Sequence, residues 1–257
     1  MNWQKKLDYK KNQQFLFNII VPVFNAEKYL EKCLNSIIKQ SYENFQVNII
    51  DDCSTDSSYE LCSTICSGYK NFHISKNSRR LGALNNIYKL LNLRIKEPAK
   101  TIDILLDGDD YLYSGDVLNI LYDKYLNTNC LITYGSHLSS KGVQGKKYPR
   151  LIRELNLYRK YFWYASHLKT FRHDLWLSMD HNDLLDQNGQ YYPVAWDLAL
   201  MFPMLEMAGN RQEFIKDLMY VYNDQNPISD HKIRRKEQLL AAKEIRKKKR
   251  YNKRNFI

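Results

Sequence analysis

The apolar run Ile102-Asp103-Ile104-Leu105-Leu106 ends in Asp107-Gly108-Asp109-Asp110, which sets three carboxylates within four residues. A buried strand ending in clustered carboxylates is costly, because like charges repel and each must be desolvated. The cost is offset where a hard divalent cation sits among them and a phosphate-bearing ligand completes its shell. Asp-Gly is also common turn chemistry, so a solvated turn is the competing reading of this segment alone.

The preceding chain supplies the context. Phe17 to Val23 is a β-rich run broken by Pro22, which cannot donate to a ladder. From Asn25 or Ala26 onward, Tyr29, Leu30, Cys33, Leu34, Ile37 and Ile38 mark one face of a helix. Phe45 to Ile50 reads as a second strand and runs into Asp51-Asp52-Cys53-Ser54-Thr55-Asp56, with a helix expected from about Ser57 to Ser67. Phe72-His73-Ile74 is a short third strand, Ala83 to Leu93 a helix, and the run into Asp107 a fourth strand. This alternation predicts an α/β fold with a single, mostly parallel sheet flanked by helices. Ligands of such sheets gather at the carboxyl ends of strands, near a switch in strand order. Segments 22–25, 51–56, 79–82 and 107–110 all follow expected strands, so they should converge on one edge.

The second half is less regular. Leu131 to Gly135 is strand-like, Asp197 to Met207 is apolar with helical spacing, Leu218 to Tyr222 is a last strand, and a helix is expected from Ile233 to about Tyr251. The aromatic residues Tyr158, Tyr161, Phe162, Trp163 and Tyr164 suit either sugar stacking or core packing. His167 suits either an acceptor site or a structural role. The formal charge of +11 is local: from Lys232 onward, twelve Lys or Arg face only Glu237 and Glu244, a net +10. That placement argues against a fold-wide nucleic-acid surface; the basic end itself suits an anionic membrane surface and equally an acidic glycan or polynucleotide, with a solvated tail as the structural alternative. No stretch approaches the roughly 18–20 unbroken apolar residues of a membrane span. Met1 to Lys6 leads into no apolar signal core. Five irregularly spaced cysteines read as reduced thiols, so the expected location is cytoplasmic, at most peripheral to a membrane face.

Three segments together resemble a known family: Ile20-Val21-Pro22-Val23-Phe24-Asn25, Asp51-Asp52-Cys53-Ser54-Thr55-Asp56, and Leu106-Asp107-Gly108-Asp109-Asp110-Tyr111-Leu112. In this order and these strand contexts they are similar to the family 2 glycosyltransferases of the GT-A fold. Weaker likeness runs from Asp197 to Pro227. The resemblance implies a Rossmann-like GT-A domain over residues 17–231, divided into a nucleotide-sugar half (17–113) and an acceptor half (114–231). A polar lead-in (1–16) would precede it and a basic helical tail (232–257) would follow.

The implied activity is an inverting, metal-dependent transfer from a UDP-hexose or UDP-N-acetylhexosamine to a hydroxyl of a glycan, lipid or protein. Pro22, Val23 and Asn25 would border the nucleotide, and Asp52 would accept a hydrogen bond from the uracil ring. Arg80 would meet the donor, while Asp107 and Gly108 would approach the ribose or the metal. Asp109 would bind Mn²⁺ or Mg²⁺, with His231 nearby. The family's late acidic base falls at Asp197, for which an N-cap is the structural alternative. Cys53 stands where the family usually has glycine, and Trp196 where it often has Glu. Rival readings are a nucleotidyltransferase, whose Gly-rich loop is missing from Pro22-Val23-Phe24-Asn25, and a non-catalytic protein that binds sugar nucleotides or nucleic acid.

Overall fold

Strand β1, Leu16–Val23, is buried on both faces, as a strand covered by helices on both sides must be. A computed structural model describes residues 15–227 and 230–256, the side chains of residues 230 and 231 excepted. β1 lies between β2 (Phe45–Asp51) and β4 (Thr101–Leu105), parallel to both, with Ile19 opposite Val47 on one side and Ile104 on the other. β3 (Phe72–Lys76) continues the parallel run beyond β2.

The remaining strands are β5 (Tyr111–Leu112), β6 (Ile132–Ser139), β7 (Gly142–Gln144), β8 (Lys169–Arg172) and β9 (Gln212–Val221). The sheet order is β3-β2-β1-β4-β8-β6-β9-β5, with β7 paired to β6. β8 runs antiparallel to both β4 and β6, β5 runs antiparallel to β9, and β6 and β9 are parallel. By paired length the sheet is mostly parallel, as the alternation predicts. The antiparallel strands β5, β7 and β8 are too short to carry a periodic signal.

Side-chain alternation along β1 divides the core. Phe17, Ile19 and Val21 face Leu30, Leu34 and Ile37 of α1 (Glu27–Ile38), Cys62 and Cys66 of α2 (Ser58–Cys66), and Leu118 and Leu121 of α4 (Val117–Thr128). Ile20 joins the opposite cluster with Ile87 and Leu91 of α3 (Ala83–Leu91) and with α7 (Trp196–Ala208). Two short helices, α5 (Arg150–Glu154) and α6 (His173–Leu177), complete this side. All five cysteines are free thiols, and Cys62 and Cys66 are core side chains.

Every side chain of α7 from Leu198 to Ala208 is buried, so it is a central helix, apolar around its circumference except for Glu206. Arg159 answers that carboxylate with a two-pronged pair at 2.6 and 3.0 Å, and its remaining nitrogen donates to the Ile245 carbonyl at 2.8 Å. The C-terminal segment forms α8 (Asp230–Ile233) and α9 (Arg235–Lys247). The helix stops at Lys247, short of the Tyr251 expected from sequence. From there the chain continues over the body without regular secondary structure, and the Tyr251 N–H donates to Glu206 at 2.9 Å, giving that buried carboxylate a further donor. The Arg254 N–H donates to the Met207 carbonyl at 3.0 Å, and Arg211 donates to the Phe256 carbonyl at 2.7 Å. Among the described residues, no helix is long and apolar enough to cross a membrane. The polar lead-in lies outside the described residues up to residue 14.

Candidate functional site

β1 is flanked by strands reached in opposite directions along the chain, so strand order reverses around it. A cleft of about 670 Å³ opens at that reversal, outside the carboxyl ends of the parallel strands. Its walls come from the loop after β1 (Pro22 to Ala26), Asp52 after β2, Arg80 to Asn86 after β3, and Asp107 to Asp109 after β4. His167, Lys169, Ala195 to Asp197, Tyr222 and Asn226 form the far wall. The residues preceding or opening α1, α3 and α7 (Ala26, Gly82 and Ala195) all line it, so three helix N-termini give the cleft positive ends suited to phosphate.

Most of the acidic segment after β2 is wiring. Asp51 is buried and accepts the Ser54 N–H at 3.0 Å. Asp56 accepts the N–H of Ser58 at 3.0 Å and of Glu27 at 3.1 Å, and Glu27 accepts the Ser57 N–H in return. Asn25 N–H donates to the Ser54 hydroxyl, while its side-chain oxygen accepts the Thr55 N–H at 2.9 Å. These exchanges cap α1 and α2 against each other and fix the loop after β1. Asp52 is the carboxylate of this segment that lines the cleft. It accepts from the Leu81 and Gly82 N–H groups and the Asn77 amide, each at 2.8 Å. Burial alone would raise its pKa, but the Asn86 amide, the two N–H groups and Asn77 outweigh that and hold it below the ordinary carboxylate range. Cys53 adopts φ of 63°, in the left-handed region, which explains why glycine suits this position.

The Asp107–Asp110 segment is a turn, closed by Asp110 N–H donating to the Asp107 carbonyl at 3.0 Å, but it is not a solvated one. Asp110 is buried; it accepts from the Tyr220 hydroxyl and from the Asn223 N–H at 2.7 Å. Burial, then the charges of Asp109 and Asp107, push its pKa well above the usual carboxylate range. Asp109 accepts from the Asn226 amide at 2.6 Å, and burial raises it as well. Gly108 is required for close approach, not for a special φ: a Cβ there would meet Val23 Cγ2 at 3.0 Å and the Pro22 carbonyl at 3.1 Å. Donor atoms of Asp107, Asp110 and His167 lie within 4.8 Å of one another. The His167 ring stacks on Tyr220 and Tyr222, and its Nδ1 meets Lys169 Nζ at 3.2 Å.

Asp197 occupies the first turn of α7, one residue inside Trp196, while the cap position is Ala195. It is therefore not the N-cap, but its buried carboxylate accepts from the Leu198 N–H and the Trp163 side chain, so a structural role stands beside a chemical one. Burial raises its pKa, with Lys169 opposing. Lys169 also sits over the Trp196 ring at 5.4 Å.

Of the residues singled out from sequence, Pro22, Val23, Asn25, Asp52, Arg80, Asp107, Gly108, Asp109 and Asp197 all line this cleft. Arg80 stacks its guanidinium on the Phe24 ring at 3.8 Å. His231 falls within α8, and its side chain lies outside the described residues. The aromatic run 158–164 is largely packing, with Trp163 against Phe202 and Tyr158 against Tyr148, and none of it lines the cleft. Sequence reasoning passed over Lys169, Asn226 and the Asp110–Tyr220 contact. Asn226 lies in the stretch of weaker likeness from Asp197 to Pro227, but Lys169 has no local signal, since only the β4–β8 pairing brings it to the site.

Comparison with known proteins matches residues 18–185 to the model of glycosyl transferase family 2. Among curated relatives, the minor teichoic acid biosynthesis protein GgaA of Bacillus subtilis is 29% identical over 225 residues, covering 80% of this chain and 47% of GgaA. The structure of Staphylococcus aureus TarS 1–349 in complex with UDP-GlcNAc superposes with a TM-score of 0.60 at 22% identity, covering 81% of this chain and 58% of that one. The mannosyltransferase PcManGT of Pyrobaculum calidifontis, in complex with GDP-Man and Mn²⁺, gives a TM-score of 0.62 at 18% identity, covering 93% and 66%. These two structures share the fold. The chain spans less than half the length of the curated relatives it matches.

Proposed function

This chain belongs to glycosyl transferase family 2, and on that premise we propose that it transfers a sugar from a UDP-hexose or UDP-N-acetylhexosamine to an acceptor hydroxyl, with inversion. One observation carries the reading: Asp52, Asp107, Asp109 and Asp197, from three separate segments, line one cleft together with three helix N-termini. The UDP-GlcNAc held by TarS and the GDP-Man and Mn²⁺ held by PcManGT support the donor class and the metal.

In this reading the loop after β1 and Asp52 border the base, and Arg80 and the helix N-termini face the diphosphate. Asp107, Asp110 and His167, whose donor atoms cluster, form with the neighbouring cleft carboxylate Asp109 a donor set that fits Mn²⁺ or Mg²⁺. A bound divalent ion there supplies neutralisation of the charge that develops on the departing nucleotide diphosphate. Asp197 takes the acceptor hydroxyl's proton, a role its raised pKa suits. Residues 17–113 serve as the nucleotide-sugar half, and 114–231 as the acceptor half that contributes Asp197. TarS is named as a poly(ribitol-phosphate) β-N-acetylglucosaminyltransferase, which favours a hydroxyl-bearing polymer as acceptor.

Calorimetric titration of UDP with and without Mn²⁺ tests the reading. Asp109→Ala is expected to abolish the Mn²⁺-dependent part of binding, and unchanged affinity refutes the metal role. Release of UDP from the donor separates this activity from nucleotidyl transfer, which would release pyrophosphate.

A further inference from the structure

The cations of the C-terminal segment divide into two sets. Arg246 donates to the carbonyls of Arg159 and Tyr161, each at 2.8 Å, Lys248 to that of Leu185 at 2.6 Å, and Arg250 to that of Asn156 at 3.0 Å. These fasten the segment to the body. Lys236, Lys243 and Lys247 of α9 are exposed and point elsewhere. Their spacing of seven and four residues places them on one helical stripe, opposite the fully buried Ile245. Leu239 and Leu240 flank that stripe and are 65% and 69% exposed.

The helix's own carboxylates do not offset the lysines. Glu237 pairs with Arg234 at 2.5 Å, and Glu244 turns inward to accept the Tyr192 hydroxyl at 2.8 Å and the Gln187 N–H at 3.1 Å. The outward face of α9 is therefore cationic along its centre and apolar at its margins.

We propose that this face docks on an anionic lipid bilayer, with α9 lying in the plane of the surface. Charge complementarity selects an anionic partner. The two leucines select a bilayer over a polynucleotide or acidic glycan, because only the headgroup boundary offers an apolar layer to receive them. Ile233, Arg234 and Gln238, at the start of this helical segment, line the cleft, so the segment that carries the docking face also forms part of the cleft wall. The proposal is independent of the transferase reading, since its readout is binding and not turnover.

The test is flotation of the chain with vesicles of phosphatidylcholine alone or mixed with phosphatidylglycerol. Deleting the segment is unsuitable, because Ile245 and Tyr251 belong to the core, whereas the outward residues are free to change. Binding to the mixed vesicles only is expected, weakened about tenfold or more by Lys236→Glu with Lys243→Glu and Lys247→Glu, and by high salt. Leu239→Gln with Leu240→Gln is expected to weaken vesicle binding while leaving heparin binding unchanged. Hydrogen exchange of the unmodified chain provides a readout without variants, with residues 235–247 gaining protection on mixed vesicles. Equal binding to neutral vesicles, parent-like binding by either variant, unchanged exchange over 235–247, or capture by heparin without vesicle binding each overturns the proposal.

Discussion

The Asp52 carboxylate accepts the Gly82 N–H at 2.8 Å across thirty residues of sequence, tying the end of β2 to the start of α3. A residue expected to read a ligand is thus also a structural clamp on the loop that carries Arg80.

Asp52→Asn is expected to lower stability by about 2 kcal/mol at neutral pH, since hydrogen bonds to an ionised acceptor are the stronger kind. The Asp52 pKa is held down in the folded state. Its stabilisation is therefore full above the ordinary carboxylate range and is lost as pH falls through the lowered value. Denaturant titrations of both proteins should show the gap closing in acid, and a constant gap would show that ionisation is irrelevant.

Asp197→Asn is expected to keep donor affinity and to cut transfer by about 10² to 10⁴. The parent's rate should fall on the acid side at a pH above that of an ordinary carboxylate, because burial raises Asp197. Full activity of the variant removes Asp197 from the reaction.

Gly108→Ala forces a methyl against Val23 Cγ2 and the Pro22 carbonyl. The expected cost is about 1–3 kcal/mol, with weakened Mn²⁺-dependent UDP binding, because the acidic turn must move off β1. An unshifted melting temperature with parent-like binding contradicts this.

Cys53→Gly relieves a side chain held at φ of 63°. A gain of about 1 kcal/mol is expected with nucleotide binding retained, measured by thermal unfolding.

Glu206→Ala leaves the Arg159 guanidinium buried without its partner and takes away the acceptor of the Tyr251 N–H. A loss of about 3–5 kcal/mol is expected, together with faster proteolysis after residue 247. A variant as stable as the parent would mean that the pair is dispensable.

The parallel half was legible because each strand there is a short apolar run followed by turn chemistry and an amphipathic helix. The cleft's near wall followed from one rule about strand ends, and Asp52, Asp107 and Asp109 meet there. What stayed hidden depends on pairing between distant strands. Lys169 reaches the cleft because Leu105 pairs with it, and Tyr220 reaches Asp110 because β9 pairs with β5. The C-terminal helix was legible as a basic pattern, but its bounds were not: it runs from Arg235 to Lys247, and the chain beyond it is held by a carboxylate forty-odd residues earlier. Asp109 and Asp110 look alike in sequence, yet Asn226 answers one while Tyr220 and Asn223 answer the other.

The Arg159–Glu206 pair also dictates how the chain can be shortened. The helix that presents Asp197 at its front end is bolted from behind by Ile245 and Tyr251. A truncated form ending before residue 245 would lose that backing, so any fall in turnover it showed would report a displaced lever and not a missing substrate contact.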